Sequence, residues 1–136
     1  MYMLDTNICI YIIKNRPEQV RDRLAALASG DVCISSVTLA ELATGVEKSR
    51  DVERNRTALH LFLAPLKVLD FDDHAALAYG KIRADLEKRG MPIGSMDMLI
   101  AAHAVSSRCV LVTNNEREFQ RIQDLTIENW VNGNRE

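Results

Sequence analysis

Short apolar runs alternate with longer stretches that carry apolar residues at helical spacing. The runs are brief and end at polar or turn-forming residues, which predicts buried strands at Tyr2–Leu4, Val32–Ser35, Val68–Phe71 and Cys109–Val112. The stretches between them predict amphipathic helices. Strands separated by helices favour an α/β sandwich built around a mostly parallel central sheet.

Polar and glycine residues mark several of the predicted helix boundaries. Ser35 or Ser36 is suited to cap the helix after the second strand, Asp72 the helix after the third, and Ser95 the helix that precedes the fourth. Gly30 is expected to end the second helix of the chain.

Length and composition indicate one soluble globular unit. The chain has 136 residues, of which 47% are hydrophobic and 26% charged, a balance that excludes extended disorder. We expect a single domain over residues 1–132, followed by a short polar tail at 133–136. No apolar run reaches the roughly 18 residues that a membrane span requires, so no membrane partner is expected. The expected location is the reducing cytoplasm, as the three cysteines indicate.

Charge and cysteine content narrow the function classes further. The formal net charge is −2, so any contact with nucleic acid must be local rather than made by a polycationic surface. Cys9, Cys33 and Cys109 are odd in number, widely spaced and flanked by apolar residues. This pattern favours reduced core thiols over disulfides or a zinc site.

The candidate chemistry begins where the predicted strands end, because ligands of open parallel sheets bind beyond the carboxyl ends of the strands. Asp5 directly follows the first strand, and the turn Thr113–Asn115 follows the fourth. The alternative for Asp5 is a purely structural role as the N-cap of the next helix.

Three further acids lie near predicted helix ends, and each has a structural alternative. Glu41 stands among apolar neighbours, but Thr38 and Glu41 also match a capping box. Asp97 lies at the start of an apolar helix, where it can complement the helix dipole. Glu118 can belong to an ordinary surface charge pair.

If these acids meet, their charges must be compensated. Two carboxylates 4 Å apart repel each other by about 4 kcal/mol at an effective dielectric constant of 20. Oxygen-only ligands suit Mg²⁺ or Mn²⁺ rather than zinc. The alternative is a raised carboxyl pKa, so that a proton takes the place of the metal.

Four motifs, in order and with typical separations, resemble one family over almost the whole chain. They are Met3–Asn7, Ser35–Glu41, Pro92–Asp97 and Leu111–Phe119. The chain resembles VapC-type toxins of the PIN-domain ribonucleases. The resemblance implies a three-layer α/β/α fold, a Mg²⁺- or Mn²⁺-dependent endoribonuclease acting on structured RNA such as a tRNA anticodon loop, a VapB-type antitoxin partner, and a homodimer within a larger toxin-antitoxin complex.

The resemblance also implies roles for single residues. Asp5 and Asp97 would be the main metal-binding acids, with Glu41 and Glu118 as the third and fourth catalytic acids. Many family members carry Asp at the position of Asn115, so the fourth acidic role would here pass to Glu118. Supporting polar positions would be Thr6, Asn7, Thr113 and Asn115.

Two rival functions stay open. A strand that ends in Asp5 also begins haloacid-dehalogenase-like phosphatases, but those enzymes need Asp two residues later and this chain has Asn7. A non-catalytic binding or regulatory module, in which the acids serve only as caps, predicts no metal dependence.

Overall fold

The computed structural model describes residues 1–27 and 30–131, and within them five short parallel strands form one sheet. In chain order the strands are β1 (Tyr2–Leu4), β2 (Val32–Ser35), β3 (Lys67–Leu69), β4 (Val110–Val112) and β5 (Ile127–Glu128). Their spatial order is β3-β2-β1-β4-β5. β2 and β3 lie on one side of β1, and β4 and β5 lie on the other. The topological switch point therefore lies between β1 and β4.

Helices precede or follow each strand and cover the sheet. They are α1 (Thr6–Ile13), α2 (Glu18–Ala25), α3 (Ser36–Glu47), α4 (Val52–Leu63), α5 (Asp73–Lys88), α6 (Ser95–Ser106) and α7 (Glu116–Phe119). Because strand residues alternate between the two faces, Met3 packs in one hydrophobic cluster with residues of α5, α6 and α7, and Leu4 packs in a second with residues of α1, α3 and α4. Helices therefore lie on both faces, and the expected three-layer α/β/α architecture is confirmed.

The predicted strands are found within two residues of their expected bounds, whereas β5 was not predicted. Its two residues, Ile127 and Glu128, are each only partly buried, so they give neither an apolar run nor a clear alternation. Pairing with β4 defines this strand, through the register Leu111 to Ile127. The prediction of a single domain over 1–132 stays a prediction, and the predicted tail at 133–136 lies outside the described residues.

The helix boundaries include two corrections. Ser35 caps α3 and Asp72 caps α5, as predicted. Ser95 does not cap α6: the N-cap residue is Gly94, and no side chain caps this helix. Gly30 does not end α2 either, because that helix ends at Ala25, and Gly30 instead adopts a φ of +96° in the turn before β2.

The three cysteines are buried free thiols, as the sequence predicted. The Sγ atoms of Cys33 and Cys109 lie 4.0 Å apart in the core. Among the described residues, no helix is both long and apolar enough to cross a membrane.

Candidate active site

Asp5 is the buried centre of the site, at the carboxyl end of β1. It is only 4% exposed. Its Oδ1 accepts a hydrogen bond from the backbone N–H of Thr6 at 2.7 Å, and its Oδ2 accepts one from the Thr113 hydroxyl at 2.8 Å. Asp5 is also the N-cap of α1, so the structural role and the candidate functional role coincide in one residue.

The surroundings of Asp5 act on its protonation in opposite directions. Burial raises its pKa, the hydrogen bonds from Thr113 and Thr6 lower it, and the charge of Glu41 raises it; the net pKa lies above its usual value. Each carboxylate oxygen accepts one of these two hydrogen bonds and retains a second lone pair. Asp5 therefore has capacity for a cation.

Glu41 reaches the site from the middle of α3, and the capping-box alternative is wrong. The N-cap of α3 is Ser35, whose hydroxyl accepts from the N–H of Val37. Glu41 Oε1 instead accepts from the Thr6 hydroxyl at 2.5 Å. Thr6, the neighbour of Asp5 in the chain, thus links Glu41 to the site. This contact gives the half-buried Glu41 carboxylate a hydrogen-bond partner.

The pKa of Asp97 is affected by the charges of the other three acids. It lies half-buried in the first turn of α6, where the helix dipole also favours an acid. Burial, followed by the charges of Asp5, Glu118 and Glu41, raises its pKa to about 6. A position at a helix start would by itself lower the pKa of an acid, so burial and the charges of the other acids outweigh the helix dipole at Asp97.

Glu118 and Asn115 lie side by side at the carboxyl end of β4. The Asn115 side chain donates to Glu118 Oε1 at 3.3 Å, and its backbone N–H donates to the Thr113 hydroxyl at 2.9 Å. None of the ion pairs within residues 1–27 and 30–131 involves Glu118. The surface charge pair proposed as its alternative is therefore not formed.

Asn7 and Asn129 complete the account of the polar residues at this edge. Asn7 is exposed in the first turn of α1. Asn129, which the sequence analysis did not single out, is buried at the end of β5 and donates to Asn114 and Glu116. The only available signal was its position four residues before the predicted tail at 133–136, because β5 itself was not recognised.

The donor set suits a hard cation, although it is not a closed cage. All four acids offer oxygen ligands, which Mg²⁺ and Mn²⁺ prefer. In the part of the chain that the structure describes, no three acidic, histidine or cysteine side chains are grouped closely enough to hold an ion together. Mg²⁺ commonly retains several waters and uses only one or two carboxylates, so Asp5 and Asp97 are the residues that could hold such an ion.

An apolar cavity of about 310 Å³ borders Glu41 on the side of α1, α3 and α4. Its walls are mostly aliphatic, with Lys14, Ser49 and Asn55 among the polar exceptions. A cavity of this size and character can accept apolar side chains from another polypeptide.

Comparison with known proteins agrees with this architecture. The PIN domain family model matches residues 2–125. The chain belongs to the PIN-domain family. Over 129 residues it is 50% identical to the tRNA(fMet)-specific endonuclease VapC of Salmonella typhimurium (strain LT2), an alignment that covers 95% of this chain and 97% of the relative.

Solved structures of the family resemble this PIN domain along almost its full length. DNA-bound VapBC from Salmonella typhimurium matches with a TM-score of 0.90 and 50% identity, covering 95% of this chain and 97% of the other. VapBC2 from Rickettsia felis, bound to a DNA fragment from its promoter, matches with a TM-score of 0.90 and 45% identity, covering 95% and 98%. Both the sequence and the fold therefore place the chain with VapC proteins.

Proposed function

We propose that this PIN domain is the endoribonuclease toxin of a toxin-antitoxin pair and that it uses Mg²⁺, or Mn²⁺ in its place, to hydrolyse phosphodiester bonds. The observation that best supports the proposal is the arrangement at the switch point of the sheet, where buried Asp5 is fixed by Thr113 and Thr6 and the Thr6 hydroxyl also donates to Glu41. Burial and the charges of Asp5, Glu118 and Glu41 raise the pKa of Asp97 in the same region. Such a cluster, left without a cation, opposes its own ionisation.

Asp5 and Asp97 would hold the metal, and residues that hydrogen-bond to Asp5 would orient its carboxylate. When bound, the metal would polarise the scissile phosphate and lower the pKa of an attacking water. The Thr113 hydroxyl and the Thr6 N–H fix the Asp5 carboxylate. Glu41, oriented by the Thr6 hydroxyl, would hold or accept the proton of the water that attacks in line with the leaving oxygen.

Glu118 would complete the site from the side of α7. Its carboxylate is oriented by the Asn115 amide, and its charge already acts on Asp97. Glu118 would act from outside the direct ligands, because residues around a metal site tune its affinity without ligating the ion.

The proposed substrate is structured RNA, with a tRNA anticodon loop as the first choice. The relative from Salmonella typhimurium is named for its action on tRNA(fMet), and it shares 50% identity over almost the whole chain. This chain has a net charge of −2 and only 5% aromatic residues. We therefore expect recognition of loop shape and a few splayed bases rather than extensive base stacking.

The proposed protein partner is a VapB-type antitoxin, which would bind a toxin homodimer in a larger complex. The solved neighbours from Salmonella typhimurium and Rickettsia felis are VapBC complexes. The apolar cavity beside Glu41 supports the same proposal, because a partner segment seated there would also cover the approach to the acids.

The decisive experiment is cleavage of a total small-RNA pool, with fragment ends mapped by sequencing. Antitoxin-free protein is assayed with Mg²⁺, with Mn²⁺ and with EDTA, beside the variants Asp5→Asn and Asp97→Asn. Asp73→Asn is the matched control, because Asp73 is an exposed acid in the first turn of another helix. Discrete metal-dependent cuts that survive only in the wild type and the control support the proposal. No cutting by folded protein with either metal would favour a non-catalytic binding module.

A further inference from the structure

Asn129 is a buried polar residue at the carboxyl end of β5, outside the acidic cluster. Only 3% of it is exposed. Its side-chain Nδ2 donates to Glu116 Oε2 at 2.8 Å and to Asn114 Oδ1 at 3.2 Å. Its Oδ1 accepts from the N–H of Val131 at 2.8 Å. The amide therefore joins the end of β5 to the loop between β4 and α7.

That loop contains the supports of the site. Asn114 and Glu116, the two residues held by Asn129, stand on either side of Asn115. The backbone N–H of Asn115 donates to the Thr113 hydroxyl, which in turn donates to Asp5. A displacement of residues 114–116 would therefore disturb the hydrogen bonds that orient the Asp5 carboxylate.

The same contact separates two acids that lie close together in sequence. Glu116 and Glu118 both belong to the short helix α7, where residues two apart point in different directions. Glu116 is held by Asn129, whereas Glu118 contacts Asn115. Of these two, only Glu118 contributes to the electrostatic environment described for Asp97.

We propose that Asn129 is a positioning residue that holds the Glu116 carboxylate out of the acidic cluster and fixes the turn at residues 113–116. In this arrangement Thr113 and Glu118 face Asp5 and Asp97, the proposed metal ligands. The inference rests on the proposed function, because it assigns Asn129 a role in forming the same site. Asn129 itself touches neither the substrate nor the reacting atoms. Its effect passes through the turn.

The test reverses the donor and acceptor of the contact. Asn129→Asp is nearly isosteric but replaces the donating amide with a carboxylate beside Glu116. In the double variant Asn129→Asp/Glu116→Gln, the new glutamine amide can donate to the new aspartate, which restores the contact with the opposite polarity. Glu116→Gln alone is the matched control, since the side-chain volume changes little.

The first readout is Mg²⁺ binding to RNA-free protein by calorimetry. We expect Asn129→Asp to weaken Mg²⁺ binding about tenfold, as for other residues that orient metal ligands, and the double variant to recover to within about threefold of wild type. Cleavage gives the second readout: kcat falls in Asn129→Asp while the KM for RNA stays within about twofold, because the substrate surface is unchanged.

Two results would overturn the proposal. One is wild-type Mg²⁺ affinity in folded Asn129→Asp. The other is a double variant as weak as Asn129→Asp while Glu116→Gln alone binds normally. If Asn129→Asp does not fold, the double variant Asn114→Ala/Glu116→Ala removes the same two hydrogen bonds by truncating the exposed partners of Asn129. Wild-type Mg²⁺ affinity in that variant also counts against the role.

Failure of the proposed function gives a different pattern. Wild-type protein that neither binds Mg²⁺ nor cleaves RNA refutes the nuclease proposal and, with it, the role of Asn129 in that site. Wild-type protein that binds Mg²⁺ and cleaves RNA, with Asn129→Asp unchanged in both, refutes the positioning role alone.

Discussion

The Thr113 hydroxyl donates a 2.8 Å hydrogen bond to Asp5 Oδ2, although the two residues are 108 positions apart. Both residues directly follow a strand, Asp5 after β1 and Thr113 after β4. These strands are parallel neighbours in register, with Leu4 opposite Val112. Asp5 and Thr113 each come one residue after this pair, so they lie opposite each other at the switch point and can form the contact.

Removal of this hydroxyl tests how strongly it supports Asp5. The Thr113 bond lowers the pKa of Asp5, so Thr113→Val should raise that pKa and move the acidic limb of the pH–rate profile to higher pH. We expect kcat at neutral pH to fall about 10- to 100-fold, the range typical of lost ligand support. Thr113→Ser keeps the hydroxyl and should retain most activity; equal losses in both variants would contradict this explanation.

Asp97 should make the metal-free protein less stable as the pH rises. Its pKa in the folded protein is about 6, against an ordinary value of 3.8 for aspartate, so the folded state binds the proton more tightly. The corresponding stabilisation is complete below about pH 4 and is lost as the pH rises through about 6.

The variant Asp97→Asn should therefore raise the free energy of unfolding at pH 7.5 by about 1 kcal/mol, a value reduced for solvent screening. It should also flatten the pH dependence of stability and abolish stabilisation by Mg²⁺. Urea unfolding at pH 4.5 and 7.5, with and without Mg²⁺, measures all three effects. Asp73→Asn serves as control, and an equal gain in both variants would show that the effect is not specific to the cluster.

Asn115 marks the position at which a fifth acid can be added to the cluster. Asn115→Asp places a carboxylate beside Glu118, in place of an amide that donates to it at 3.3 Å. We expect Mg²⁺ to bind severalfold more tightly, because another oxygen ligand and another negative charge favour the cation. The melting temperature without Mg²⁺ should fall. Calorimetry and thermal melts check both effects, and weaker Mg²⁺ binding would contradict the expectation.

The cavity beside Glu41 can be filled from α3 without replacing any of the acids. Gly45 lies in its wall, and a Cβ added there meets no atom within 4 Å. Gly45→Met should therefore fold normally, retain RNA cleavage and weaken binding of the proposed VapB-type antitoxin at least tenfold. Gly80→Met is a matched control, because Gly80 is a second helical glycine with equally open space in α5. Equal antitoxin affinity of the two variants, measured by calorimetry, would remove this cavity from the interface.

The strands and helix starts that were predicted correctly are those marked by their own residues, through a buried apolar run or a capping side chain. β1 and β2 are buried runs bounded by polar residues, and Asp72 caps α5 as expected from its position. The prediction that Ser95 caps α6 was wrong, because Ser95 is the first residue of the helix and Gly94 occupies the N-cap position. β5 gave no signal, since two residues gain strand geometry only from pairing with β4.

The candidate acids show the same division. Local sequence could not separate capping from function at Asp5, Glu41 or Asp97, because a carboxylate at a helix start serves both. The structure excludes the capping box at Glu41, whose carboxylate contacts Thr6, a residue 35 positions away. At Asp97, burial and the charges of residues from three other elements raise the pKa, and the catalytic role of both acids stays a prediction.

The sequence alone determined the alternation of strands and helices, the buried thiols and the position of acids after strands, because short-range hydrophobic pattern and residue chemistry suffice for these. Only the tertiary structure decided which acids meet, that Asn129 clamps the turn next to them, and that an apolar cavity opens beside Glu41. These properties depend on the order of strands in the sheet. That order is fixed by packing between residues distant in the chain, which no local pattern contains.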